Sequence, residues 1–100
     1  MGVRLAPLAA RHLAALSRYI GEHSSEKTAD AYVSRIVRQC QSLADFPVRG
    51  RRRDDILAGL RTVGFERRVT IAFTIEYDHV IIEGIFYGGQ QLEDKLGEPS

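Results

Sequence analysis

Arg51-Arg52-Arg53 is the densest run of charge in the chain, and Arg61, Arg67 and Arg68 follow it closely. A guanidinium stays charged at physiological pH and presents five donors in a planar fork. It therefore suits carboxylate or phosphate binding and serves poorly as a proton carrier. Cutting RNA asks for more: a base for the 2′-hydroxyl, an acid for the leaving oxygen, and charge stabilisation at phosphorus. Here only His79 and Tyr87 stand ready to move protons, and both lysines, Lys27 and Lys95, read as lying off the sheet. A nuclease in this chain would rest on Arg61, Arg67, Arg68 and Tyr87. His79 reads first as a polar turn residue and Tyr87 as a packed strand end with a hydrogen-bonded hydroxyl. The set is better equipped to bind than to cut.

The elements that must position these residues are legible from periodicity. Val3 and Leu5 alternate with Arg4 and Ala6, which predicts a short opening strand. Pro7 suits a first helical position. Leu8, His12, Leu13, Leu16, Tyr19 and Ile20 then recur at helical spacing, with the helix ending near Gly21-Glu22-His23. Ser24 or Ser25 caps a second helix whose stripe is Ala29, Val33, Ile36, Val37, Cys40, Leu43 and Ala44, with Tyr32 at its border and Arg35 and Arg38 outside. Phe46-Pro47 stops it.

Beyond the helices the period changes. Residues 47–60 read as a loop and residues 61–65 as a short strand. Residues 69–77 alternate strictly, with Val69, Ile71, Phe73 and Ile75 on one face and Thr70, Ala72, Thr74 and Glu76 on the other. Asp78-His79 reads as a tight turn, residues 80–87 as the last strand, and Gln90 to Leu96 as a short helical turn. The expected fold is α+β in the order β-α-α-β-β-β, with a helical hairpin laid on an antiparallel sheet. It forms one domain over 1–100: strand plus hairpin to residue 45, a basic loop over 46–60, and a meander with its tail over 61–96. Cys40 is expected in the core, His12 on the helix surface and His23 in a loop. Gly50, Gly59, Gly88 and Gly89 read as turn glycines.

Composition narrows the classes. One hundred residues, 44% of them hydrophobic, support a single modest core rather than two lobes or a disordered chain. The apolar runs are too short for a membrane span or a signal peptide, and a lone cysteine closes no internal disulfide. No Cys/His set has zinc spacing, so the chain reads as cytoplasmic, with no metal and no cofactor. The net charge of +1 hides an asymmetry: residues 46–75 carry seven arginines against three acids, and residues 76–100 six acids against Lys95. Twelve of the 14 cations are arginine, which again favours binding over proton transfer.

Three segments, in order, carry a family likeness after the opening Leu5-Ala6-Pro7-Leu8-Ala9. Leu43-Ala44-Asp45-Phe46-Pro47 with Gly50-Arg51 resembles a helix-ending L-x-x-F-P-x-x-G-R stretch. Arg53-Asp54-Asp55-Ile56 with Gly59-Leu60-Arg61 is similar to an R-D-x-L-x-x-G-L-R connection. Ile85-Phe86-Tyr87-Gly88-Gly89-Gln90-Gln91-Leu92 is similar to a closing V-x-H/Y-G-x-R-D segment. Together they resemble the ParE branch of the RelE/ParE toxin superfamily. Ala6 stands where a Ser or Thr cap is usual, Tyr87 where many members have His, and Gln90 where Arg is common.

The resemblance implies the toxin of a type II toxin–antitoxin module, neutralised by a cognate ParD-like antitoxin and acting on DNA gyrase by binding, with no sequence-specific nucleic-acid binding of its own. It implies partner or target contacts at Arg51, Arg52, Arg53, Arg61, Phe86, Tyr87 and Gln90. Two alternatives stay open: a RelE-like, ribosome-dependent endoribonuclease using Arg61, Arg67, Arg68 and Tyr87, and a degenerate member that only binds its antitoxin. Arg51 to Arg53 also fit a solvated loop neutralised by Asp54 and Asp55, and Arg61 an internal ion pair.

Overall fold

The structure, a computed structural model, describes residues 2–88. Gly89, Gln90, Lys95 and the expected turn over Gln90 to Leu96 lie outside the described residues. The chain runs β1 (Gly2–Leu5), α1 (Pro7–His23), α2 (Glu26–Ser42), β2 (Arg51–Arg52), β3 (Arg61–Phe65), β4 (Val69–Glu76) and β5 (His79–Tyr87). These strands form one sheet ordered β1-β5-β4-β3-β2. Strands β2 to β5 pair antiparallel, but β1 joins β5 in parallel, so the sheet is mixed. A parallel partner requires a long connection, and here the hairpin and the whole meander supply it.

Local chemistry explains the helix limits. Pro7 opens α1 behind Ala6, which offers no side-chain cap. Ser25 caps α2 by accepting a hydrogen bond from the Thr28 amide at 3.0 Å, and Glu26 sits in the first turn where the helix dipole favours an acid. The inward faces of both helices, Ala9, Leu13, Leu16, Ile36, Cys40 and Leu43, meet Val69, Ile71, Phe73, Val80, Ile82 and Ile85 of the sheet. Burial pushes the Cys40 thiol up to about 11, as expected of a packing residue rather than a nucleophile.

β5 contains a bulge. Ala72 pairs with Gly84 and Phe73 with Ile82, leaving Glu83 as the extra residue. The bulge reverses the alternation of the strand. Val80 and Ile82 face the helices before it, and Ile85 and Tyr87 face them after it. Phe86 is turned to the opposite face, where it is 2% exposed in a second cluster with Ala72 and Leu60, flanked by Ile56. One expectation is corrected here. Phe86, expected as a partner or target contact, is buried with Ala72 on the sheet face away from the helices, because the connection after β2 folds across them.

That connection also departs from a plain loop. Arg51–Arg52 forms a short edge strand against Thr62 and Arg61. The following turn is stitched by Arg52 on Asp54 (2.9 and 3.1 Å) and Arg53 on Asp55 (3.1 and 3.0 Å). Asp54 also accepts from the Gly59 amide at 2.9 Å, and Arg53 donates its own amide to the Leu60 carbonyl at 2.8 Å.

His12 is not a surface residue. β1 pairs with β5 only as far as Ile82, so the β5 edge beyond it would be bare. His12 reaches down from α1, accepts the Ile85 amide on Nδ1 at 3.0 Å, and sets its ring edge on Phe86 at 4.9 Å between centroids. His79 opens β5, while the turn before it is Tyr77-Asp78, with Tyr77 at φ +55°. Its Nδ1 donates to Asp78 at 2.8 Å in the tautomer that leaves Nε2 to accept from Arg4 at 3.5 Å.

Glycine is required at position 50. Its φ is +82°, and an added Cβ would strike the Thr62 carbonyl oxygen and lie 2.7 Å from Val63 Cγ1. Gly50→Ala is expected to cost about 1–3 kcal/mol, lowering Tm in thermal unfolding by several degrees for each kcal/mol. Gly21, inside α1 with nothing within 4 Å of an added Cβ, supplies the contrast. Gly21→Ala is expected to raise stability by about 0.5–1 kcal/mol.

Candidate functional site

One open groove of roughly 580 Å³ collects the side chains with the richest chemistry. Ile20 of α1 and Lys27, Thr28, Ala31, Tyr32 and Arg35 of α2 form one wall; Glu66 and Arg68 of the β3–β4 turn and Tyr87 of β5 form the other. Helical spacing explains the first wall: residues 27, 28, 31, 32 and 35 fall on one face of α2, beside the buried stripe. The bulge explains Tyr87, which would otherwise point away from the helices.

The second wall is held in an unusual backbone. Glu66 and Arg67 both take left-handed conformations, at φ 48° and 66°. Such residues persist when their surroundings fix them. Here Arg35 grips the Glu66 carboxylate with two bonds, at 2.8 and 3.2 Å, and the Arg68 carbonyl accepts the Gly88 amide at 2.7 Å. The Arg35 guanidinium also lies 5.1 Å from the centre of the Tyr32 ring. Its grip holds the Glu66 carboxyl below its ordinary value of 4.5. Burial, then the neighbouring Tyr87 and Glu66, raise the Tyr32 hydroxyl above 10.0 against the pull of Arg35 and Arg68.

Tyr32 and Tyr87 of the groove belong to a longer line of rings that extends beyond it. His23 stacks on Tyr19 at 4.2 Å between centroids, Tyr19 meets Tyr87 at 6.2 Å, Tyr87 meets Tyr32 edge-on at 6.4 Å, and Tyr32 meets Phe65 at 6.2 Å. His23 ends α1 rather than sitting in a loop, and its Nδ1 donates to the Tyr19 carbonyl at 2.8 Å.

The residues expected to act together are partly separated. Arg68 and Tyr87 share the groove, with Arg67 in the adjoining turn. Arg61 begins β3, at the end of the strand away from the turn, paired with Phe73 rather than with the Val69–Tyr87 end. His79 and Tyr87 occupy opposite ends of β5. Arg51 and Arg52 are exposed on the outermost strand, Arg53 is half-buried in the stitched turn, and Phe86 is core. Gln90 lies outside the described residues.

Lys27, off the sheet as expected, nevertheless lines the same groove as Arg68 and Tyr87. The sequence reading missed it, together with Tyr32, Arg35 and Glu66. The available signal was Tyr32 at the margin of the α2 stripe, followed at helical spacing by Arg35, with Lys27 eight residues before Arg35.

A family model described as "ParE toxin of type II toxin-antitoxin system, parDE" matches residues 3–92. Among solved structures, the chain is similar to one titled "Chromosomal ParDE TA system from P. aeruginosa". The two share 24% identity and a TM-score of 0.77, over 88% of this chain and 96% of that one, which shows a common fold. No curated protein sequence matches.

The Arg35–Glu66 pair sets a pH dependence whose sign follows from the lowered carboxyl. A folded value below the unfolded one adds stability above the unfolded value, and this is lost as pH falls through the folded value. Thermal unfolding of the protein and of Glu66→Gln is expected to differ at pH 7, and the difference is expected to shrink as pH falls below 4.5. High salt should narrow the gap at pH 7, since both partners are exposed. An unchanged gap at pH 3 would contradict the assignment.

Proposed function

The chain belongs to the ParE toxin family of type II toxin–antitoxin systems, and from that premise we propose that it arrests growth by binding DNA gyrase, acting as a stoichiometric poison rather than a catalyst, until a ParD-like antitoxin covers it. Family membership supplies the target class. The observation that carries the choice of binding over cutting is the state of the groove. Among the described lining residues the one carboxylate, Glu66, is engaged by Arg35 and held below its ordinary value, the Tyr32 hydroxyl is pushed upward, and none is a histidine. General acid–base cleavage works best with groups that exchange protons near the operating pH, and this lining is built instead to hold fixed charge.

The runner-up, RelE-like cleavage of ribosome-bound message, is weakened by the same geometry, because Arg61 does not converge with Arg68 and Tyr87. Arg51, exposed on the edge strand, suits the polar rim of a protein contact, where charge steers association. Among the described residues the outer edge of β1 has no strand partner, and Val3, Leu5, Leu13, Val37, Cys40 and Gln41 line a cleft of roughly 180 Å³ beside it. An antitoxin segment that adds a strand there gains backbone hydrogen bonds and an apolar seat together.

Purified protein added to gyrase and plasmid is expected to block supercoiling in proportion to its amount, and the antitoxin is expected to restore it. A translation reaction with labelled message should show intact RNA. Cut message with unaffected gyrase would overturn the reading in favour of the nuclease, and inactivity in both would favour a member that only binds its antitoxin.

A further inference from the structure

We propose that the groove between α2, the β3–β4 turn and the end of β5 binds single-stranded nucleic acid without sequence preference, with bases on the Tyr19–Tyr87–Tyr32 row and phosphates on Lys27 and Arg68. Two independent features meet here. The first is charge: among the described residues that line the groove, Lys27, Arg35 and Arg68 face one acid, Glu66, and that acid is engaged by Arg35. Lys27 and Arg68 make no ion pair among the described residues, so the lining keeps two cations for an anionic ligand.

The second feature is the line of rings, which continues from Tyr32 through Tyr87 to Tyr19, the last 49% exposed. A basic cluster alone would be a solvated patch. A basic groove floored by aromatic side chains is the combination that single strands use, because every base has a π-face and every linkage a phosphate. An acidic peptide would satisfy the cations and leave the rings unused. A duplex hides its bases inside the stack and gains from the cations only.

The groove is pre-formed, which lowers the ordering cost of binding. Its second wall is fixed by the Arg35 grip on Glu66 and by the Gly88 amide on the Arg68 carbonyl. No part of the inference depends on gyrase, so it stands or falls separately from the proposed target.

The test is fluorescence anisotropy on the full chain with labelled eight-nucleotide oligouridine and oligothymidine, a duplex of the same length, and an acidic peptide of equal charge. Single strands are expected to bind, with log affinity falling linearly with log salt. Tyr87→Ala should weaken binding about tenfold, equivalent to loss of one good stacking contact. Lys27→Gln and Arg68→Gln should each reduce the salt slope by about 0.7. Arg51→Gln, on the far edge strand, should change neither. Lys27 and Arg68 are exposed, so their variants should keep the parent's Tm, which separates lost binding from lost folding. A difference between the RNA and DNA strands would identify which of the two carries the chemistry. The proposal is overturned if single strands fail to bind at low salt, if duplex or acidic peptide binds as tightly, or if Arg51→Gln is as damaging as Arg68→Gln.

Discussion

A single extra residue in β5 decides where the chemistry of this protein lies. Without the bulge, with Glu83 paired in the regular ladder, strict alternation from Val80 would carry Gly84 and Phe86 toward the helices and leave Ile85 and Tyr87 on the other side. With it, Tyr87 enters the groove and Phe86 founds a second core. The bulge is held from three directions. Thr74 donates to Glu83 at 2.8 Å across the strand pair; His12 accepts the Ile85 amide at the open edge; and Gly84 leaves the space that the Phe86 ring fills, since an added Cβ would come within 2.6 Å of it. Bulges bend and twist the strand that carries them, and here the twist aims one tyrosine.

The second core changes the meaning of the arginine island. Arg52 and Arg53 spend their guanidinium groups on Asp54 and Asp55, two residues along, in a turn that lays Ile56 and Leu60 over Ala72 and Phe86. Exposed ion pairs of this kind contribute little to stability, typically no more than about 1 kcal/mol. A buried leucine contributes about 1.5–3 kcal/mol. The pairs therefore set the shape of the turn, and Leu60 holds it down. The Arg-Asp-Asp-Ile…Gly-Leu-Arg segment works as a lid for the sheet, with Ile56 and Leu60 turned inward and Asp54, Asp55 and Leu57 exposed.

Element types and most limits were legible because each has a local cause: Pro7 at a helix start, Ser25 as a cap, strict alternation over Val69 to Ile75; α2 ends at Ser42, short of the expected stop at Phe46-Pro47. The contents of the groove were not, because they depend on register. The run His79–Tyr87 is apolar at both parities, so alternation assigns no face, and only Gly84 inside it hints at a bulge. His12 fits the apolar spacing of α1 and its polar character suggested the surface; the reason it points inward is a bare strand edge, which a sequence does not display. Glu66 lies 31 residues beyond Arg35 across the helix–turn contact, and nothing local announces that it meets the α2 face carrying Lys27 and Arg35.

The turn that closes the groove shows why it fits holding better than reacting. Two consecutive non-glycine residues in the left-handed region, Glu66 and Arg67, carry strain of about 1–3 kcal/mol each. A type-matched Asn-Gly pair would have made the hairpin without that strain. The strained arrangement turns the Glu66 carboxylate toward α2, where Arg35 takes it with both nitrogens, and brings Arg68 to the rim beside Tyr87. A flexible wall would have to be ordered by each ligand it met. This wall is ordered by its own ion pair, so a ligand meets cations and rings already in place. What pre-organisation gives to affinity it withholds from proton transfer here, since the same pairing that fixes the wall makes Glu66 a weaker base.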